Sequence, residues 1–220
     1  MIKYVLFDLD GTLLSTLDTI NYHLNAALSS LSLGSVTLED TRQFLGNGAR
    51  KLVARALAKN GVTDEKTVAR VLEIYNSAYD SDPLPLTYPY EGVVDLVDAL
   101  YERGVTLGVV TNKPEPTAIK LVESFFPGKF AFVRGGKSGV MLKPDPKEAL
   151  SLLHSVGGEA SECAFVGDTD VDIFTGKNMG AALSIGVSWG FRSCEELSSA
   201  GADLVLDNAK DVLCAITDHR

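Results

Sequence analysis

The sequence predicts an α/β protein: a parallel sheet flanked by helices, with an α-helical cap inserted after the first strand. Three observations point there. Short apolar runs recur along the chain, and each stops at polar or glycine residues. Helical patterns lie between most of these runs, and strands alternating with helices form parallel sheets with right-handed crossovers. One stretch, from about Ser15 to Tyr88, carries helical patterns only and breaks the alternation.

Residues 3–7 (KYVLF) end at Asp8 and Gly11. This suits a buried strand followed by a tight turn. Further strands are expected over 105–110, 130–133, 163–166, 181–187 and 203–206. Helices are expected over 91–103, 115–125, 145–156, 170–179 and 193–200. Within the long insertion, helical patterns fall near 17–31, 38–45, 47–60 and 64–80. The segment 81–89 holds three of the eight prolines and reads as a linker. The expected organisation is a core made of 1–14 and 89–220, with the cap at 15–88.

Composition narrows the classes. At 220 residues, a chain of this size buries roughly 70% of its unfolded surface, enough for a large core without staples. The net charge is −9, and 17 of the 29 acidic residues are Asp. There is no basic footprint for nucleic acid. Asp is a weak helix former but a good turn and metal-ligand residue. Cys163, Cys194 and Cys214 are odd in number, far apart and without a CxxC pair. They read as free thiols of a reducing compartment. Three histidines make a Cys/His zinc site improbable. The opening apolar run is too short for a signal segment, and no run of 18 apolar residues occurs. A cytoplasmic protein without membrane contact is expected.

The polar residues stand where the strands are expected to end. In open α/β sheets ligands bind at the carboxyl ends of strands. Those ends carry Asp8 and Asp10, Thr111 and Asn112, and Asp168, Asp170 and Asp172, with Lys143 in the loop before the helix at 145. Carboxylates gathered at one edge repel, and a divalent cation relieves this. All-oxygen ligation favours Mg²⁺, which in turn suggests a phosphate substrate. In an extended segment Asp8 and Asp10 face the same way, and Gly11 lets the backbone turn. One carboxylate can attack phosphorus, while the other protonates the leaving oxygen and later deprotonates water. Thr111 and Asn112 offer a hydroxyl, an amide and backbone N–H groups to phosphate oxygens. Lys143 supplies a cation. Asp172 falls on roughly the same side as Asp168, whereas Asp170 points elsewhere.

Four motifs in order, DLDGT at 8–12, TN at 111–112, KPDP at 143–146 and GDTDVD at 167–172, resemble the haloacid dehalogenase superfamily of phosphohydrolases. The resemblance spans the chain. It implies a Rossmann-like core with strand 1 central and a helical cap between the first and second motifs. It implies Asp8 as nucleophile and metal ligand. Asp10 is then the acid/base, its backbone carbonyl meeting Mg²⁺. Asp168 is the third protein ligand, Asp172 sits behind the ligands, and Thr111 and Lys143 hold the transferring phosphoryl group.

Residues 44–57 (FLGNGARKLVARAL), 111–114 (TNKP) and 88–93 (YPYEGV) are similar to the phosphoglycolate phosphatase branch. That similarity implies a small phosphorylated metabolite as partner. Gly46, Asn47 and Gly48 would form a turn opening a helix whose N–H groups meet an anionic substrate group. Arg50 would clamp a substrate carboxylate, and Lys113 would add phosphate or substrate contact. A phosphomutase of the β-phosphoglucomutase type, or a pyrophosphatase with the same core chemistry, is the alternative. A response-regulator receiver lacks an insertion of this length and an Asp two residues after the acceptor. Dehalogenation at carbon would not need Asp10. A monomer or homodimer is expected.

Overall fold

The computed structural model describes residues 1–137 and 143–219. In chain order the strands are β1 (Tyr4–Phe7), β2 (Leu14–Ser15), β3 (Tyr88–Pro89), β4 (Thr106–Pro114), β5 (Phe132–Gly136), β6 (Cys163–Gly167), β7 (Leu183–Val187) and β8 (Leu204–Leu206). The helices are α1 (Leu17–Ser29), α2 (Leu38–Phe44), α3 (Ala49–Lys59), α4 (Glu65–Ser81), α5 (Val93–Glu102), α6 (Glu115–Phe125), α7 (Lys147–Ser155), α8 (Asp170–Met179), α9 (Cys194–Ser199) and α10 (Ala209–Asp218). The chain divides into two units, Met1–Ser15 with Pro89–Arg220, and Thr16–Tyr88.

The first unit is an α/β fold around a six-stranded parallel sheet, in the order β5-β4-β1-β6-β7-β8. β1 lies between β4 and β6, with Phe7 level with both Val109 and Val166. The alternation of a strand decides which face each residue covers. Val5 and Phe7 enter one apolar cluster with α5, α6 and α10, while Leu6 enters another with Ala149 and Leu153 of α7 and Met179 of α8. Burial on both faces explains why these strands read as continuous apolar runs.

The second unit is α1–α4 around its own core of Leu24, Leu28, Leu52, Val53, Leu57, Val71 and their neighbours. Thr37 opens α2 with a capping box to Asp40, and Asp64 caps α4 by accepting from the Thr67 N–H.

Three differences from the sequence reading have physical causes. β4 runs through Thr111–Asn112–Lys113 to Pro114, where a strand end at Thr111 was expected; the register with β5 shifts between Val110 and Pro114. The irregularity re-aims the polar residues without ending the strand. β5 covers 132–136, later than the expected 130–133. Phe130 leaves the strand and packs edge-on against Phe7 and Phe126. Gly135, beyond the expected strand, lies in β5 with the Glu115 backbone close against it; a Cβ there would lie 2.3 Å from Glu115 Cα. α10 was not expected. Asn208 caps it and Ala209, Val212 and Ile216 bury one face on the sheet cluster, a spacing present in the sequence.

Among the described residues, no helix is long and apolar enough to cross a membrane. All three cysteines are free; Cys163 is buried in β6, whereas Cys194 and Cys214 are exposed. Burial pushes the Cys163 thiol up to about 12, against an opposing backbone hydrogen bond with Leu6. An aromatic disulfide reagent at pH 8 should therefore titrate two thiols in the native protein and a third only after denaturation. Rapid reaction of all three in the native state would contradict the buried position of Cys163.

Candidate active site

β1 ends in a loop whose shape is set by its own backbone. The N–H groups of Leu13 and Leu14 both donate to the Leu9 carbonyl, at 3.0 Å each, folding residues 9–14 back tightly. Gly11 takes φ +85°, and a Cβ on it would lie 2.2 Å from Asp168 Oδ2. Only glycine suits that conformation and that approach. Asp8 itself stays in line with the strand, its N–H donating to the Val166 carbonyl at 2.9 Å.

Because β1, β4 and β6 are neighbours, the residues just beyond Phe7, Val110 and Val166 converge. Asp8, Asp168 and Asp172 are all buried, and each offers one carboxylate oxygen within 4.8 Å of the others. Lys143 Nζ stands between two of them, 2.8 Å from Asp8 Oδ1 and 2.5 Å from Asp172 Oδ1. Asp8 Oδ1 also accepts the Leu9 N–H at 2.7 Å. Asp168 accepts the Thr12 hydroxyl on Oδ1 and the Phe191 N–H on Oδ2, both at 2.8 Å. Asp172 Oδ2 accepts from the Thr169 N–H at 3.0 Å and hydroxyl at 2.7 Å, which closes the capping box of α8. The Asn112 side chain holds the Lys143 backbone from both sides, accepting its N–H at 3.0 Å and donating to its carbonyl at 3.2 Å.

Asp10 lies apart from this trio. Lys113 Nζ donates to its two oxygens at 2.9 and 3.1 Å, and the Lys113 side chain is almost fully buried. The buried Thr111 hydroxyl accepts the Lys113 N–H at 3.3 Å. Asp170 turns outward toward Arg192.

The electrostatics follow from burial. Desolvation is the largest influence on Asp8 and, with Asp172 and Asp10 adding and Lys143 opposing, takes its carboxyl up to about 6. Asp168 is held well above the usual carboxylate range, by burial first and by Asp172 and Asp8 next. Burial works against the charge of Lys143, but the Asp172 and Asp8 carboxylates outweigh it and hold the ammonium above its ordinary value. Three carboxylates face one ammonium. Oxygen-only donors with a surplus of negative charge fit a hard divalent cation such as Mg²⁺.

In the helical unit, Gly46, Asn47 and Gly48 connect α2 to α3, and Gly48 precedes the first turn of α3. The residue that organises this turn is one the sequence reading passed over. Arg55 donates to the Phe44 carbonyl at 2.6 Å and to Asn47 Oδ1 at 2.8 Å. Arg50 is exposed and pairs with Glu65 of α4. The spacing from Asn47 to Arg55, two turns of helix, was the available signal. Thr12 and Phe191 were likewise missed. Thr12 stood inside a motif read only for its acids, and Phe191 acts through its backbone, which no side-chain pattern reveals.

The sequence pattern of the haloacid dehalogenase-like hydrolase family matches residues 5–185. The chain belongs to this family. Phosphoglycolate phosphatase 1 of Pseudomonas aeruginosa is 36% identical over 97% of the chain and 79% of its own length. Phosphoglycolate phosphatase of Rhodospirillum rubrum is 37% identical over 94% and 88%. A crystal structure from Lactobacillus delbrueckii subsp. bulgaricus superposes with a TM-score of 0.91 at 34% identity, covering 97% of this chain and 98% of that one. The order of the four motifs matches this core: the first follows β1, the second lies within β4, the fourth begins at the end of β6, and the third supplies the lysine between Asp8 and Asp172.

Two outcomes follow. Folding raises the Asp8 carboxyl from 3.8 to about 6, so the folded state binds the extra proton between those values. Stability from this group is present at acid pH and is lost as pH rises from about 4 through 6. In chelator, urea unfolding should show the wild type losing about 1 kcal/mol more than Asp8→Asn between pH 5 and 7; equal losses would contradict the burial of the Asp8 charge. In the helical unit, Arg55→Met should lower stability by about 1–3 kcal/mol, and Arg50→Met by less than about 1. Thermal melts check the ranking, and a larger effect at Arg50 would reverse it.

Proposed function

We propose that the chain hydrolyses small phosphomonoesters of the 2-phosphoglycolate type, through an aspartyl-phosphate on Asp8. The observation that carries this reading is Asp8 fixed at a strand end by Leu9 and Lys143 within a buried carboxylate trio, with Asp10 held separately by Lys113. The full-length similarity to two proteins named phosphoglycolate phosphatase supports the substrate class.

In the first half-reaction a carboxylate oxygen of Asp8 attacks phosphorus, and the ester P–O bond breaks. Asp10 gives a proton to the departing oxygen. In the second, Asp10 takes a proton from water as the water oxygen attacks the phosphoryl group. The bond to Asp8 breaks, releasing phosphate and restoring the Asp8 carboxylate and the protonated Asp10. Asp8, Asp168 and the Asp10 backbone carbonyl would hold Mg²⁺, with Asp172 behind them; when bound it supplies positive charge against the non-bridging oxygens. Thr111, Asn112 and Lys143 hold the phosphoryl group, and Lys143 adds a second positive charge. Lys113, Gly46, Asn47, Gly48 and Arg50 are the proposed contacts for the rest of the substrate. Lys113 pairs with Asp10, and Arg50 pairs with Glu65.

Phosphate release with Mg²⁺ present, from 2-phosphoglycolate, hexose phosphates and pyrophosphate, tests this. The expected result is the highest kcat/KM for 2-phosphoglycolate, no turnover in chelator, and a loss on the order of 10⁴-fold or more in Asp8→Asn with the fold intact. No turnover of any ester would overturn the reading. Isomerised hexose phosphate as the main product would replace hydrolysis by mutase chemistry.

A further inference from the structure

Asp168 is enclosed by two backbone segments that carry no side chain where they meet it. One is Gly11, described above. The other is Gly190, beyond the end of β7: a Cβ there would lie 2.3 Å from Asp168 Cβ, 2.4 Å from Oδ2 and 2.4 Å from the Gly11 carbonyl oxygen. The next residue, Phe191, donates its N–H to Asp168 Oδ2 at 2.8 Å, opposite the Thr12 hydroxyl on Oδ1. The preceding residue, Trp189, is the single tryptophan of the chain. Its Nε1–H donates to the Thr12 carbonyl at 3.0 Å, and its ring packs near Tyr90. Ser188 anchors the segment to β8 by donating its N–H to the Leu206 carbonyl at 3.0 Å.

We propose that Trp189–Gly190–Phe191 is a positioning clamp that sets the Asp168 carboxylate against the Asp8 loop for the divalent cation. This rests on the cation reading above. Asp168 accepts one donor on each oxygen, a carboxylate oxygen can accept two, and one of its oxygens lies within 4.8 Å of an oxygen of Asp8 and of Asp172. The indole bond ties the clamp to the loop that carries Asp8, Asp10 and Thr12. A shift of the segment therefore moves the two parts of the ligand set relative to each other. Partners that orient a metal ligand characteristically change affinity 10- to 100-fold when removed.

The test is calorimetric titration of Mg²⁺ into wild type, Gly190→Ala and Trp189→Phe, with unfolding in chelator measured alongside. Gly190→Ala should bind 10- to 100-fold more weakly, and Trp189→Phe, which loses the indole donor but keeps an aromatic ring, about threefold or more. Both should regain their turnover at saturating Mg²⁺. Wild-type tryptophan fluorescence should shift over the same Mg²⁺ range. If Gly190→Ala does not fold, Trp189→Phe decides. Wild-type affinity in the folded variants overturns the clamp and leaves the cation reading standing. No Mg²⁺ binding by the wild type overturns both.

Discussion

A single ammonium shared by two carboxylates is the interaction on which the site depends. Lys143 Nζ touches Asp8 and Asp172, while Asp168 closes the trio with no ion-pair partner of its own among the described residues. At an effective dielectric of about 20, unit charges 4 Å apart interact by about 4 kcal/mol. Three mutually repelling carboxylates therefore exceed what one lysine offsets. The protein meets the surplus partly by hydrogen bonds: Leu9 to Asp8, Thr12 and Phe191 to Asp168, Thr169 to Asp172. What remains is an unbalanced negative site, suited to a doubly charged cation and then to a phosphoryl anion. Net charge of the chain has little bearing on this, since the anion meets local charge.

The scaffold makes that arrangement reproducible. Parallel pairing of β1 with β4 and β6 sets Phe7, at the end of β1, level with Val109 and Val166. Glycine then permits the close approach. Gly11 and Gly190 enclose Asp168, and a Cβ on Gly167 would lie 2.2 Å from the Asp172 Cβ. Each of these positions trades backbone freedom for contact between a carboxylate and the chain. Asn112 does comparable work for Lys143 by gripping its backbone, so its side chain reaches inward from a fixed point.

Much of this was legible because the relevant residues sit in short, ordered strings. The acids at 8, 10, 168 and 172 could be assigned to strand ends from apolar runs, since burial on both sheet faces leaves a clear pattern, and the cation at 143 to the loop before the helix at 145. Less was legible where backbone does the work. Nothing in the side-chain pattern marks Phe191 as a donor to Asp168 or Gly135 as a strand residue crossed by Glu115. The partner of Asp10 was also hidden: no spacing in the sequence marks Lys113 as the residue that pairs with it. In the helical unit, a basic residue near a glycine turn is common. Which of Arg50 and Arg55 reaches back to Asn47 depended on helix phase.

The most direct measurement is the thermal midpoint at pH 7 of the wild type and Asp168→Asn, each with and without Mg²⁺. Saturating the site about 100-fold above its dissociation constant stabilises by about 2.7 kcal/mol, or roughly 5–10 °C for a chain of this length. The wild type should rise by that amount and Asp168→Asn by little or nothing. An unchanged wild type, or an equal rise in the variant, would contradict a cation held by this carboxylate trio.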